Sequence, residues 1–165
     1  MDRSELKERL NQCEKEEKLL CFLTFTNSIA LEIGMLLIKN TQIRNAAVAI
    51  DITVNSTEVF HYCFPGTTDY NNLWIERKKK MVHTKHISSL HAGYLLEYNN
   101  LDLEKDWFLD PKEFAVKGGG FPICIKGTVC IGSISCSGLP HEQDHQLIVD
   151  TLNQYLGTSI TDCST

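Results

Sequence analysis

The chain has 165 residues, 42% of them hydrophobic, and a formal net charge of -5, which fits one domain with a buried core and argues against a dedicated nucleic-acid or anionic-membrane binder. Its opening, MDRSELKERLNQCEKEEK, is charged throughout, and the longest apolar stretch, near Leu31 to Ile38, is broken by Glu32 and Gly34, so neither a secretory signal nor a membrane span is expected. Seven cysteines with no C-x-x-C pair indicate a reducing, cytoplasmic setting in which Cys packs in the core as a small hydrophobe, not in disulfides or a structural zinc site.

Asp2 is placed to cap a first helix with Glu5 as its capping-box partner, and residues 1–20 read as a charged helix whose thin apolar stripe is Leu6, Leu10 and Cys13, ahead of a core over residues 21–157. This helix is expected to cover an edge or a subunit contact. LLCFLTF (19–25) reads as a short buried strand, and Thr26, Asn27 and Ser28 cap a helix to about Asn40 with Ile29, Ile33, Leu36 and Leu37 on one side. AAVAIDITV (46–54) and EVFHYCF (58–64) form an antiparallel hairpin. One helix is expected from Asp69 to Leu90, with Leu73, Trp74, Arg77 and Met81 at helical spacing. FPICIKGTVCIGSISC (121–136) makes a second hairpin turning near Gly127, and Pro140 opens a last helix bearing Leu147, Ile148, Leu152 and Tyr155. The sum is an α+β fold, helices packed on an antiparallel sheet.

HEQDH (141–145) matches the H-E-x-x-H pattern of zinc hydrolases. The pattern falls in the first turn of the last helix, no Glu or His follows it, and Asp150 and Asp162 are the only carboxylates downstream. His141 and His145 also continue the apolar face of Ile148 and Leu152. The match is therefore read as chance, with no metal site and no catalytic residue assigned. GGG (118–120) precedes a strand and not a helix, so it is a poor phosphate cradle; its glycines serve close backbone approach, to a ligand or to a neighbouring strand. In RKKK (77–80), Lys78, Lys79 and Lys80 are expected in water and Arg77 turned inward to a carboxylate. His83, His86 and His91 read as surface or capping residues.

Taken together, FPGTT (64–68), WIERK (74–78), Ser88 and Ser89 with Gly93, GGGFPI (118–123), IGSISCSGLP (131–140) and the Asp144–His145 pair resemble the bacterial and fungal branch of the GlcG/HbpS-like proteins, labelled haem-degrading-domain proteins. The likeness runs from about Phe22 to Leu152. It implies a profilin-like, three-layer α+β fold and a symmetric homo-oligomer, and it associates the wider group with haem or other small molecules. Carried over by position, it implies a shared loop and helix start built from Gly118, Gly119, Gly120, Asp144 and His145, with Arg77 nearby. Thr84, Lys85, His86 and Ile87 stand where similar members show Arg-Phe-Gly-His, so no ligand role is assigned to that segment.

Two functions follow as expectations. The first is a non-catalytic, homo-oligomeric binder of a small molecule, haem or a related tetrapyrrole being the candidate, with Gly118 to Gly120 and His145 lining the pocket. The second is a scaffold that engages a protein partner through the N-terminal helix or the basic 77–80 patch. Nucleic-acid and membrane partners are not expected.

Overall fold

A computed structural model describes residues 1–158, so Asp162 and Cys163 lie outside the described residues. Five helices and four strands follow in the order α1 (Arg3–Leu19), α2 (Asn27–Ile43), β1 (Ala49–Val54), β2 (Thr57–Cys63), α3 (Asp69–Lys85), α4 (Ser89–Asn99), β3 (Gly120–Cys124), β4 (Cys130–Ser137) and α5 (His141–Leu156). The strands form one antiparallel sheet in the order β2-β1-β4-β3. Both expected hairpins are present, and the first turns through Asn55 and Ser56, whose positive φ values of 48° and 64° match the twist of the strands they join.

Side chains alternate across a strand, and this sheet uses its two faces differently. Ile50, Ile52, Phe121, Ile123, Ile134 and Cys136 join Ile33 and Leu37 of α2 and Leu147, Ile148 and Leu152 of α5 in the main apolar core. The opposite face carries Asp51, Thr53, Ser133 and Ser135, all buried, with α3 lying over it. Short polar side chains there let the helix approach closely, and each needs a partner. The outcome is the α+β arrangement of helices on both sides of an antiparallel sheet that the sequence implied.

Two expected elements differ. Residues 19–25 are no strand: α1 runs to Leu19, Thr26 already caps α2 by accepting the Ile29 N–H at 3.2 Å, and only Phe22 pairs, in a single bridge to Ile125. Leu20 and Phe22 enter the core nonetheless, while Leu23 is 83% exposed. The helix expected over residues 69–90 is two helices, because His86 takes the left-handed conformation at φ 58° and Ser88 caps α4 through the His91 N–H at 3.1 Å. The apolar stripe expected on α1 is buried within the chain. Leu6, Leu10 and Cys13 pack against Leu90 and Tyr94 of α4, and Glu16 is buried with them.

Candidate functional site

The buried face of α3 is Ile75, Lys78, Met81 and Val82, rotated from the expected Leu73, Trp74, Arg77 and Met81, and Leu73 is exposed. A lysine occupies this inner stripe because the sheet face below it is polar. Lys78 is only 2% exposed; its Nζ donates to Asp144 Oδ2 at 3.0 Å and to the Cys136 carbonyl at 2.8 Å. The other Asp144 oxygen accepts the Leu139 N–H at 3.0 Å. Burial pushes the Asp144 carboxyl upward, and the Lys78 ammonium is the main influence opposing that.

The triple glycine is built around this ion pair. Gly119 sits at φ +109°, and a Cβ there would run into the Cys136 carbonyl and come within 2.6 Å of Lys78 Nζ. Gly119 also accepts the Cys136 N–H at 2.7 Å, Gly120 donates to Ser89 Oγ at 3.0 Å, and Gly118 donates to His141 Nδ1 at 3.3 Å. Gly119, Gly120 and Asp144 thus surround the Lys78 side chain, and Gly118 lies against His141 and the Cβ of His145. Arg77 does not join them. Its guanidinium stacks over Trp74 at 4.3 Å and donates to the Pro111 carbonyl at 2.6 Å, not to a carboxylate. Lys78 was the residue missed, although its spacing of three from Ile75 and four to Val82 was a visible signal.

The basic run is therefore not a free patch. Lys78 is buried, Lys79 lies between Glu76 and Asp51, and Lys80 pairs with Glu113. Lys80, within its pair with Glu113, keeps 46% of its side chain exposed, and only the apolar stripe of α1 packs on α4.

Beside the ion pair runs a cleft of two adjoining cavities. One, of about 360 Å³, is lined by Tyr70, Trp74, Lys117, Leu139 and His141. The other, of about 520 Å³, shares Tyr70 and Trp74 and adds Arg77, Pro111 and Lys112. Tyr70 meets Trp74 edge to face, with ring centres 6.3 Å apart. Burial and then the nearby Lys117 lower the pKa of His141.

His145 faces away from that cleft. Its Nε2 is 2.8 Å from Glu16 Oε2, both side chains are buried, and its Nδ1 has no hydrogen-bond partner. His141 and His145 of the H-E-x-x-H pattern therefore serve different neighbours. On the α3 side of the sheet, His61 Nε2 lies 3.3 Å from Cys63 Sγ while its Nδ1 is 3.6 Å from buried Asp51. His61 and Cys63 alternate onto one face of β2 with Asp51 directly across, an order that only strand register reveals. The cysteines are not uniformly core: Cys13 and Cys136 are buried, Cys21, Cys124 and Cys130 half-buried and Cys63 exposed.

Residues 25–153 match the family model described as haem degrading protein HbpS-like. The chain belongs to the HbpS-like family. Among HbpS-like relatives, a UPF0303 protein of Yersinia enterocolitica is 33% identical over 152 residues, 92% of this chain and 90% of that one. A UPF0303 protein of Rhizobium etli is 40% identical over 147 residues, 89% of each chain. In three dimensions the chain is similar to the Ybr137w protein, with a TM-score of 0.83 at 28% identity over 93% of this chain and 92% of that one. It shares its fold with PduOC, solved as a haem complex, at a TM-score of 0.66 and 18% identity over 85% of this chain and 99% of that one. Among the described residues no helix is long and apolar enough to cross a membrane.

Proposed function

We propose that this protein binds a flat, anionic ring compound of the tetrapyrrole class in the cleft beside Trp74, and that it acts as a binding protein and not as a catalyst. The observation that carries this reading is the aromatic wall of Tyr70 and Trp74 shared by two adjoining cavities, with Arg77, Lys112 and Lys117 around it beside Glu76, Glu113 and Asp144. An aromatic face takes a planar ring by stacking, and cations at the rim take its carboxylates. Membership of a family described by haem degradation supports the ligand class. In this reading Gly118 to Gly120 do not touch ligand; they hold Lys78 and α5 so that the cleft wall, which includes Lys78 and Asp144, keeps its shape. His145 lies outside the binding cleft.

Self-association belongs to the same proposal. Leu31 and Met35, one helical turn apart on the outer side of α2, and Ile43 at its end are more than half exposed, an apolar stripe suited to a second copy.

Titration with ferric haem and with metal-free protoporphyrin, read by absorbance and by native mass spectrometry, tests the proposal. One ring per chain is expected, with Trp74→Ala weakening uptake by about tenfold or more and Trp107→Phe leaving it unchanged. Lack of saturable uptake of either compound, or a Trp74→Ala variant that binds as the parent does, would remove the cleft from consideration.

A further inference from the structure

The cavity between α1, α4 and the start of α5 is separate from the Trp74 cleft and holds three donor groups of different chemistry. Cys13 and Glu16 stand three residues apart on α1, hence on one helix face, and His145 reaches them from α5. One ligand atom from each, a sulfur, a carboxylate oxygen and a ring nitrogen, lies within 4.8 Å of the other two. All three side chains are buried.

Glu16 and His145 form a buried ion pair when the ring is protonated, but their partners leave bonding capacity unused. Glu16 has the Gln12 amide at 2.8 Å and the His145 ring at 2.8 Å, while Lys and Arg form no ion pair with it among the described residues. His145 Nδ1 is buried without a hydrogen bond. A carboxylate, an imidazole and a thiol buried side by side form a donor set that a cation would gather.

We propose that Cys13, Glu16 and His145 form a site for a divalent transition metal of the Zn²⁺ class. A sulfur, nitrogen and oxygen donor set suits such ions, and three protein ligands leave a fourth position. That position opens on a cavity of about 250 Å³ lined also by Arg9, Tyr94 and Glu142, where the Tyr94 hydroxyl donates to Glu142 at 2.7 Å. Binding replaces the Cys13 S–H bond by a sulfur–metal bond and releases that proton to solvent. The direct bond between Glu16 and His145 gives way to coordination of both groups. Only His145 of the H-E-x-x-H pattern takes part; His141 is turned to Gly118.

Cobalt(II) added to chelator-treated protein distinguishes this site. The expected result is one cobalt per chain with a thiolate-to-cobalt charge-transfer band and the visible bands of a four-coordinate ion. Cys13→Ser should abolish the charge-transfer band and weaken cobalt binding by at least about tenfold, and Glu16→Gln, which keeps the packing, should weaken it too. His141→Ala should bind as the parent does, and circular dichroism confirms that each variant is folded. The proposal is overturned by the absence of stoichiometric cobalt, or by a band that survives Cys13→Ser and vanishes in Cys63→Ala.

Discussion

Lys78 Nζ and Asp144 Oδ2 meet at 3.0 Å with both side chains buried, tying the middle of α3 to the first turn of α5 across the end of β4. Taking both charges out of water is costly, and the pair persists because the Cys136 carbonyl and the Leu139 N–H satisfy the remaining bonds. Removing one partner leaves an uncompensated buried charge. Lys78→Met and Asp144→Leu should each destabilise the protein by about 3–5 kcal/mol, whereas the double variant should recover a large part of that loss. Urea denaturation of the four proteins gives the coupling, and simple addition of the two losses would show that the pair is not a unit.

Gly119 should be less replaceable than Gly127. Its φ of +109° and the Cys136 carbonyl facing its missing Cβ mean that Gly119→Ala adds backbone strain of roughly 1–3 kcal/mol to a steric clash. Gly127, also at positive φ but with nothing within 4 Å of a Cβ, should lose less on the same change. Thermal melting of the two variants side by side checks the order.

Thiol labelling should divide the cysteines by environment. A hydrogen bond from Cys124 lowers the Cys130 thiol, and Cys63 is exposed beside His61. These two should react first with iodoacetamide, while buried Cys13 and Cys136, whose thiols are pushed upward mainly by desolvation, should react only on unfolding. His61→Gln should slow Cys63 and leave Cys130 unaffected. Peptide mapping by mass spectrometry after brief labelling reads all four sites.

Stability should fall on mild acidification. His83 is lowered from its ordinary 6.5 by burial and then by Lys79, with Asp51 and Glu76 opposing, and His141 is lowered by burial and then by Lys117. As pH falls through 6.5, the unfolded chain takes up protons that the folded one refuses, so stability drops until the lower folded values are reached and is unaffected well above them. Asp144, whose folded value is raised, acts with the opposite sign at the acid end. Urea midpoints compared between about pH 7.5 and about pH 5.5 should decline in the parent protein and decline less in His83→Gln, which can keep the bond to Ser133 at 3.0 Å. Equal slopes would exclude His83 as a source.

The hairpins were legible because β-branched runs separated by turn residues specify strands locally, and α5 because Pro140 and the apolar spacing of Leu147, Ile148 and Leu152 mark a helix. The break at His86 was not: a left-handed residue inside a helix-like run carries no pattern of its own, and Ser88 becomes a cap only once α4 has formed. Nor was the strand expected over residues 19–25 avoidable by pattern, since Leu20 and Phe22 are core residues delivered by a loop.

The GGGFPI and SGLP blocks determined the family, and the alternating runs determined an antiparallel sheet with helices against it, because these depend on neighbours in sequence. The tertiary structure alone decided which side chains share a space. It placed Lys78 against Asp144, 66 residues apart, and His145 against Glu16, 129 residues apart. Helical periodicity says that Lys78 and Glu16 each lie on a buried stripe, yet a charged group can be buried only if its partner is supplied, and the partner comes from another element whose position is set by packing.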